Sequence, residues 1–132
     1  MNEYEGTSYD TRFLVELYYS SNTNQQLAIK KILLGSKPNY LSTAALSELY
    51  KLSLEKEGKD VAELRAKSLV KDFHLVDVNQ EIAIGAALIK HKHSIPFADS
   101  IIASTAKVLK VPCYTDDPHF ESVEGVIVKW IR

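Results

Sequence analysis

The chain has 132 residues, 45% apolar and 25% charged, with 16 Lys and Arg set against 17 Asp and Glu for a net charge of −1. That is enough apolar chain for one buried core and too little for two. A single cysteine, Cys113, excludes an internal disulfide and a thiolate zinc site, and 5 Gly with 4 Pro exclude collagen-like or linker-like chains.

No apolar run approaches the roughly 20 residues of a membrane span. The first five residues, Met1 to Glu5, are acidic and polar, unlike a signal peptide. A cytoplasmic location is therefore the expectation. Without repeats, low-complexity tracts or long hinges, residues 1–132 read as one domain.

A weakly apolar first strand is predicted around Tyr4 to Tyr9. From Thr11 the period changes, and Phe13, Leu14, Leu17 and Tyr18 share one helical face. Asn24 to Leu34 reads as a second helix, stopped by Gly35 and Pro38. Asn39 to Leu41 is a short strand, and Ser42 is placed to cap a helix through Ala45, Leu46, Leu49 and Leu52 that ends at Gly58. Asp60 with Glu63 resembles a capping pair for the next helix. His74 to Val78 reads as a strand, followed by Asn79 capping a helix with Ile82, Ala86 and Ile89. Pro96 suits the first position of a helix through Ile101, Ile102, Ala106 and Leu109. Val111 to Thr115 and Val126 to Trp130 are the last strands, the final run apolar enough for burial on both faces. Strands separated by helices imply an α/β fold, a mainly parallel sheet with helices on both faces.

Sites in such sheets form beyond the carboxyl ends of the strands. Four acids fall in suitable places. Asp10 directly precedes the first helix, where an N-cap is the simplest account. Glu48 shares a stripe with Ala44, Ala45 and Leu52, an inward position at which a carboxylate needs a partner. Asp99 aligns with Ile102, Ala103 and Ala106; the helix dipole explains its early position but not its inward face. Asp116 and Asp117 follow a strand in an Asp-Asp-Pro turn sequence. Singly, none of these acids is persuasive. Together they set carboxylates after two early strands, on a late helix and after a late strand. Such a set cannot stay fully ionised without a counter-charge. Mg²⁺ or Mn²⁺ suits oxygen ligands of this kind, and the chemistry that uses them is phosphoryl hydrolysis.

The residues around these acids resemble the PIN-domain nucleases. The resemblance rests on Tyr9-Asp10-Thr11-Arg12-Phe13-Leu14, on Ser42-Thr43-Ala44-Ala45-Leu46-Ser47-Glu48-Leu49 and, most strongly, on the run from Pro96 to Ala106 that carries Asp99. It closes with Thr115-Asp116-Asp117-Pro118-His119-Phe120, a match to the family's Thr-x-Asp-x-x-Phe. The motifs occur in order across essentially the whole chain, with the size of a compact, VapC-type toxin. The resemblance implies a metal-dependent endoribonuclease that cuts single-stranded or loop RNA. It assigns Asp10, Glu48, Asp99 and Asp117 to the acidic site, with Asp10 and Asp99 the foremost metal ligands. Glu48 would reach metal through water or orient the attacking water. Thr11 and Thr115 would support those carboxylates, and Asp116 stands beside Asp117 where the family varies. A small antitoxin partner and a homodimer are further implications.

Two other readings stay open: a housekeeping RNA-processing nuclease, and a catalytically inactive module that binds RNA or protein. A phosphoacceptor signalling domain is disfavoured, because its paired early acids and late lysine are missing. Lys90-His91-Lys92-His93 reads as a solvated helix end, His119 as without a catalytic role, and Cys113 as a small buried residue. Tyr18, Tyr19 and Tyr50 suit base stacking, an interface or core edge packing. Arg12 has two possible partners, Glu16 one turn on or a scissile phosphate. The near-neutral net charge at first argues against nucleic acid. Setting the four acids aside leaves more basic than acidic residues, which withdraws that objection and predicts weak binding without metal.

Overall fold

A computed structural model describes residues 5–35 and 38–131. The elements in chain order are β1 (Thr7–Tyr9), α1 (Thr11–Tyr19), α2 (Thr23–Gly35), β2 (Asn39–Ser42), α3 (Thr43–Glu57), α4 (Lys59–Asp72) and β3 (His74–Val76). There follow α5 (Gln80–Lys92), α6 (Phe97–Leu109), β4 (Cys113–Thr115), a 3-10 turn (Pro118–Ser122) and β5 (Val128–Trp130). All strand pairings are parallel, in the order β3-β2-β1-β4-β5. The chain winds one way from β1 to β3 and then crosses back to β4. With right-handed crossovers, that reversal puts helices on both faces of the sheet. It also makes the boundary between β1 and β4 a topological switch point, where adjacent strand ends diverge into different connections and leave a crevice.

β1 lies in the middle of the sheet although its sequence is barely apolar. Thr7, Ser8 and Tyr9 are all buried; the side chains of Ser8 and Tyr9 find polar partners, whereas the Thr7 hydroxyl has none. The Ser8 hydroxyl donates to the Pro112 carbonyl at 3.1 Å, and the Tyr9 hydroxyl donates to Asn39 Oδ1 at 2.6 Å. The Tyr9 ring stacks on Tyr114 and meets Phe13 and Phe73, with centroids 5.7, 4.4 and 5.5 Å away. Tyr4 and the start of the predicted first strand lie outside the described residues, as do Ser36, Lys37 and Arg132.

Several local expectations hold. Ser42 caps α3 by accepting from the Ala44 amide at 3.1 Å, and Asn79 caps α5 by accepting from the Ile82 amide at 2.9 Å. Three need correction. The residue ahead of α4 is Gly58, at φ +89°, so Asp60 lies in the first turn and Glu63 instead accepts from the Tyr50 hydroxyl at 3.0 Å. Glycine is suited to that left-handed φ, which lets α3 end and α4 begin at one residue. Pro96 precedes α6 as its N-cap rather than opening it. β5 is an edge strand and is not buried on both faces: Trp130 remains 44% exposed. Its apolar run reads as a core strand, but β4 covers only one of its edges and leaves Trp130 in solvent.

Tyr18 and Tyr19 serve the packing of α1 against α4. The Arg65 guanidinium lies 4.6 and 5.0 Å from their ring centroids, and the Tyr19 hydroxyl meets Ser53 Oγ at 2.8 Å. Cys113 is fully buried, and that burial pushes its thiol well above the ordinary range. Among the described residues no helix is long and apolar enough to cross a membrane.

The helices α5 and α6 approach closely at Gly85, where an added Cβ would clash with Ser104 Oγ, a hydroxyl that donates to the Ile82 carbonyl at 2.8 Å. Replacing Gly85 with Ala should therefore cost about 1–3 kcal/mol through overpacking. Adding Ser104→Ala removes the clashing oxygen and should recover most of that loss. Thermal unfolding of both single variants and the double variant measures the coupling, and additive effects would disprove the contact.

Candidate metal centre

Asp10 leaves β1 at the switch point. Its amide donates to the Tyr114 carbonyl at 2.9 Å, extending the β1–β4 pairing by one residue. Its side chain turns inward and is 1% exposed. One oxygen accepts from the Thr11 amide at 2.8 Å, capping α1, and the other accepts from the Thr115 hydroxyl at 2.8 Å. Thr115 Oγ1 also accepts from the Asp117 amide at 2.9 Å. One hydroxyl thus ties the ends of β1 and β4 together and fixes how the chain leaves β4.

Asp99 enters from the first turn of α6 and Asp117 from the loop after β4. The 3-10 turn then folds His119 back, with Nδ1 3.2 Å from Asp117 and 3.9 Å from Asp99. One ligand atom from each of Asp99, Asp117 and His119 lies within 4.8 Å of the others. Glu48 reaches the same opening from α3, where Thr11 Oγ1 donates to its carboxylate at 2.5 Å. It is exposed, not inward-facing. The buried stripe of α3 is Ala45, Leu49 and Ser53, and Glu48 flanks it at the rim.

The electrostatics bear the mark of crowded acids. Asp10 is raised from 3.8 to about 7, by burial above all and then by the charges of Asp99 and Asp117, against the lowering effect of Thr115 and the Thr11 amide. Asp99 rises to about 6 through burial, then through the charges of Asp117 and Glu48, with His119 and Arg12 acting the other way. Carboxylate oxygens with one imidazole nitrogen form a donor set suited to a small divalent cation, which would restore the charges that burial suppresses. The residues present fit such an ion.

All four acids named from the sequence thus share one opening at the carboxyl end of the sheet, and Thr11 and Thr115 each hold one of them. Asp116 and Asp117 part company: Asp117 faces Asp99 and His119, while Asp116 accepts from Arg12 Nε. Arg12 therefore has Asp116 as its partner. His119 is the residue that sequence reading set aside. Its only signal is position, between Asp117 and Phe120, whose buried ring anchors the turn.

The PIN domain family model matches residues 9–126, and the chain belongs to that family. No curated protein gives a significant sequence match. Solved structures do. The DNA-bound VapBC structure from Salmonella typhimurium aligns with a TM-score of 0.82 at 14% identity, covering 97% of this chain and 99% of that one. FitAcB from Neisseria gonorrhoeae aligns at 0.73 and 25% identity, covering 92% and 95%. VapC20 from Mycobacterium tuberculosis, a Sarcin-Ricin loop cleaving toxin, aligns at 0.69 and 17% identity, covering 91% and 98%. These similarities extend over nearly the full length of both chains in each pair.

The raised carboxyls have a thermodynamic consequence. Between the ordinary value of 3.8 and about 7, the folded protein binds more protons at Asp10 than the unfolded chain does. Stability therefore falls as pH rises through that window. With chelator present, the melting temperature should drop as pH increases from about 5 to about 8. Asp10→Asn should flatten the drop and raise the melting temperature at the alkaline end. Differential scanning calorimetry across that range measures both effects; an unchanged slope in the variant would place the pH dependence elsewhere.

Proposed function

We propose that the protein is a divalent-metal-dependent endoribonuclease that hydrolyses phosphodiester bonds in single-stranded or loop RNA. The observation that carries this reading is the convergence of Asp10, Glu48, Asp99 and Asp117 at the switch point, with Asp10 and Asp99 raised by burial and mutual repulsion. Family membership supports it, since PIN nucleases typically use Mg²⁺ or Mn²⁺.

Asp10, Asp99 and Asp117 would hold the ion, with His119 able to add a nitrogen ligand. When bound, a divalent cation lowers the pKa of a coordinated water and offsets charge on the phosphate. The chain's own residues do the rest. Thr115 and the Thr11 amide fix the Asp10 carboxylate, so that it needs no reorganisation during reaction. Glu48, exposed at the rim with one oxygen on the Thr11 hydroxyl, is placed to orient the attacking water and accept its proton. The oxygen of water bonds to phosphorus as its proton passes to Glu48, the bond to the 3′-oxygen breaks, and that oxygen takes a proton from solvent, so the products carry a 5′-phosphate and a 3′-hydroxyl.

The toxin role of a VapBC-type pair is part of the same proposal, with a small antitoxin as partner, a homodimer as the working assembly and the cytoplasm as the place of action. It is supported by the likeness to VapBC and FitAcB structures.

Asp99→Asn should abolish RNA cleavage while leaving the circular dichroism spectrum unchanged, and excess chelator should do the same to the parent protein. Thr115→Val, which removes only a supporting hydroxyl, should cost roughly 10–100-fold. Cleavage of labelled single-stranded RNA resolved on denaturing gels measures all three; full activity in Asp99→Asn or in chelator would sink the assignment.

A further inference from the structure

Arg12 and Asp116 have no part in the chemistry above, yet the structure joins them at its edge. Arg12 is the second residue of α1, directly after Asp10 and Thr11, and its Nε donates to the Asp116 carboxylate. The Arg12 side chain is 56% exposed whereas that of Asp116 is only 13% exposed. The exposed partner is thus anchored by the covered one. Arg12 feels Asp117 and Asp10 as well as Asp116, and it helps to keep Asp99 charged.

Stability is a poor reason for this pair. A half-exposed ion pair contributes little, and it places another acid beside an already crowded set. Substrate chemistry gives a better one. A polyanion approaching these carboxylates meets repulsion that a cation must offset. Arginine stays charged at every relevant pH and presents five N–H donors in a rigid fork that matches phosphate oxygens. The Asp116 contact engages Nε, which leaves the outer part of the fork for a second acceptor.

We propose that Arg12 contacts a phosphodiester oxygen of the bound RNA strand, and that Asp116 is the positioning residue that aims it. This rests on the ribonuclease reading above and gives the site its cationic contact with the substrate backbone. Asp116 then differs in role from its neighbour: Asp117 faces the metal-binding side, and Asp116 faces the substrate side.

Binding is measured by anisotropy of a short fluorescent single-stranded RNA of mixed sequence, using Asp99→Asn as the uncleaving parent. Adding Arg12→Gln should weaken binding roughly 10–100-fold, the worth of a charged hydrogen bond. It should also reduce the slope of log affinity against log salt by about 0.7, one phosphate contact on a single strand. Arg12→Lys should keep that slope while losing part of the affinity. Asp116 is tested by sign, in otherwise unaltered protein. If it were merely one more negative charge, Asp116→Ala would speed RNA cleavage. If it aims Arg12, Asp116→Ala slows cleavage, and Asp116→Asn, which keeps an acceptor for Nε, restores much of the rate. An unchanged salt slope in Arg12→Gln, or cleavage by Asp116→Ala as fast as the parent's, overturns the inference while leaving RNA cleavage by the unaltered protein intact. If the unaltered protein cuts no RNA and Asp99→Asn holds none, the ribonuclease reading falls and this inference with it.

Discussion

The structure turns on a carboxylate that is expensive to keep. Asp10 is almost fully buried at the point where β1 ends, α1 begins and β4 runs alongside. Its amide continues the sheet, one oxygen caps the helix, and the other takes the Thr115 hydroxyl. Burial of a charge in such a place is unfavourable unless the charge is matched, and the two hydrogen bonds the carboxylate accepts do not match it fully. Its raised pKa is the measure of what remains. A fold selected for stability alone would gain from a neutral side chain here. Retention of the acid makes sense if a cation completes the site, which is the usual trade between stability and activity at functional positions.

Thr115 carries this constraint along the chain. By donating to Asp10 and accepting from the Asp117 amide, its hydroxyl sets the direction in which the loop leaves β4. Asp117 Oδ1 then accepts from the His119 amide at 3.0 Å, starting the 3-10 turn, and buried Phe120 closes that turn onto the core. The consequence is a division between adjacent acids: Asp116 meets the α1 side of the opening and Asp117 the α6 side. A local network, not the chemistry of either carboxylate, makes that distinction.

Much of this was legible in the sequence because helix starts are encoded locally. Ser42 and Asn79 announce their helices through capping chemistry, and the acids at strand ends follow from where sites form in parallel sheets. What escaped depends on tertiary surroundings. Whether an apolar strand is central or at an edge is decided by its neighbours, so Val126 to Trp130 reads as core and proves to be a rim. β1 errs the other way, because Thr7 and Ser8 are buried without being apolar. Glu48 belongs to the opening yet lies off the buried stripe of α3, since a helix that skirts a site has a third environment besides core and bulk water. His119 gives no signal beyond its position between Asp117 and Phe120: its nearness to Asp99 arises from a turn that brings together segments distant in sequence. Strand order, too, is a property of the crossover after β3 and of nothing in the strands themselves.

The net charge of −1 takes on a different meaning once these positions are known. At physiological ionic strength exposed charges more than about 8 Å apart are largely screened, so an approaching strand responds to the local surface and hardly to the total. Locally, Glu48, Asp99, Asp116 and Asp117 outnumber Arg12, and unaided that surface repels a phosphate backbone. On the ribonuclease reading, bound cation and bound RNA must therefore favour one another. Linkage makes the relation reciprocal: if metal tightens RNA binding by some factor, RNA tightens metal binding by the same factor. The carboxylates raised by burial and by one another's charge are the physical origin of that coupling, because a bound cation would favour their ionised forms and would then be shared with the phosphate. A near-neutral chain can in this way be selective for nucleic acid without a basic surface, by keeping its site repulsive until the metal is in place.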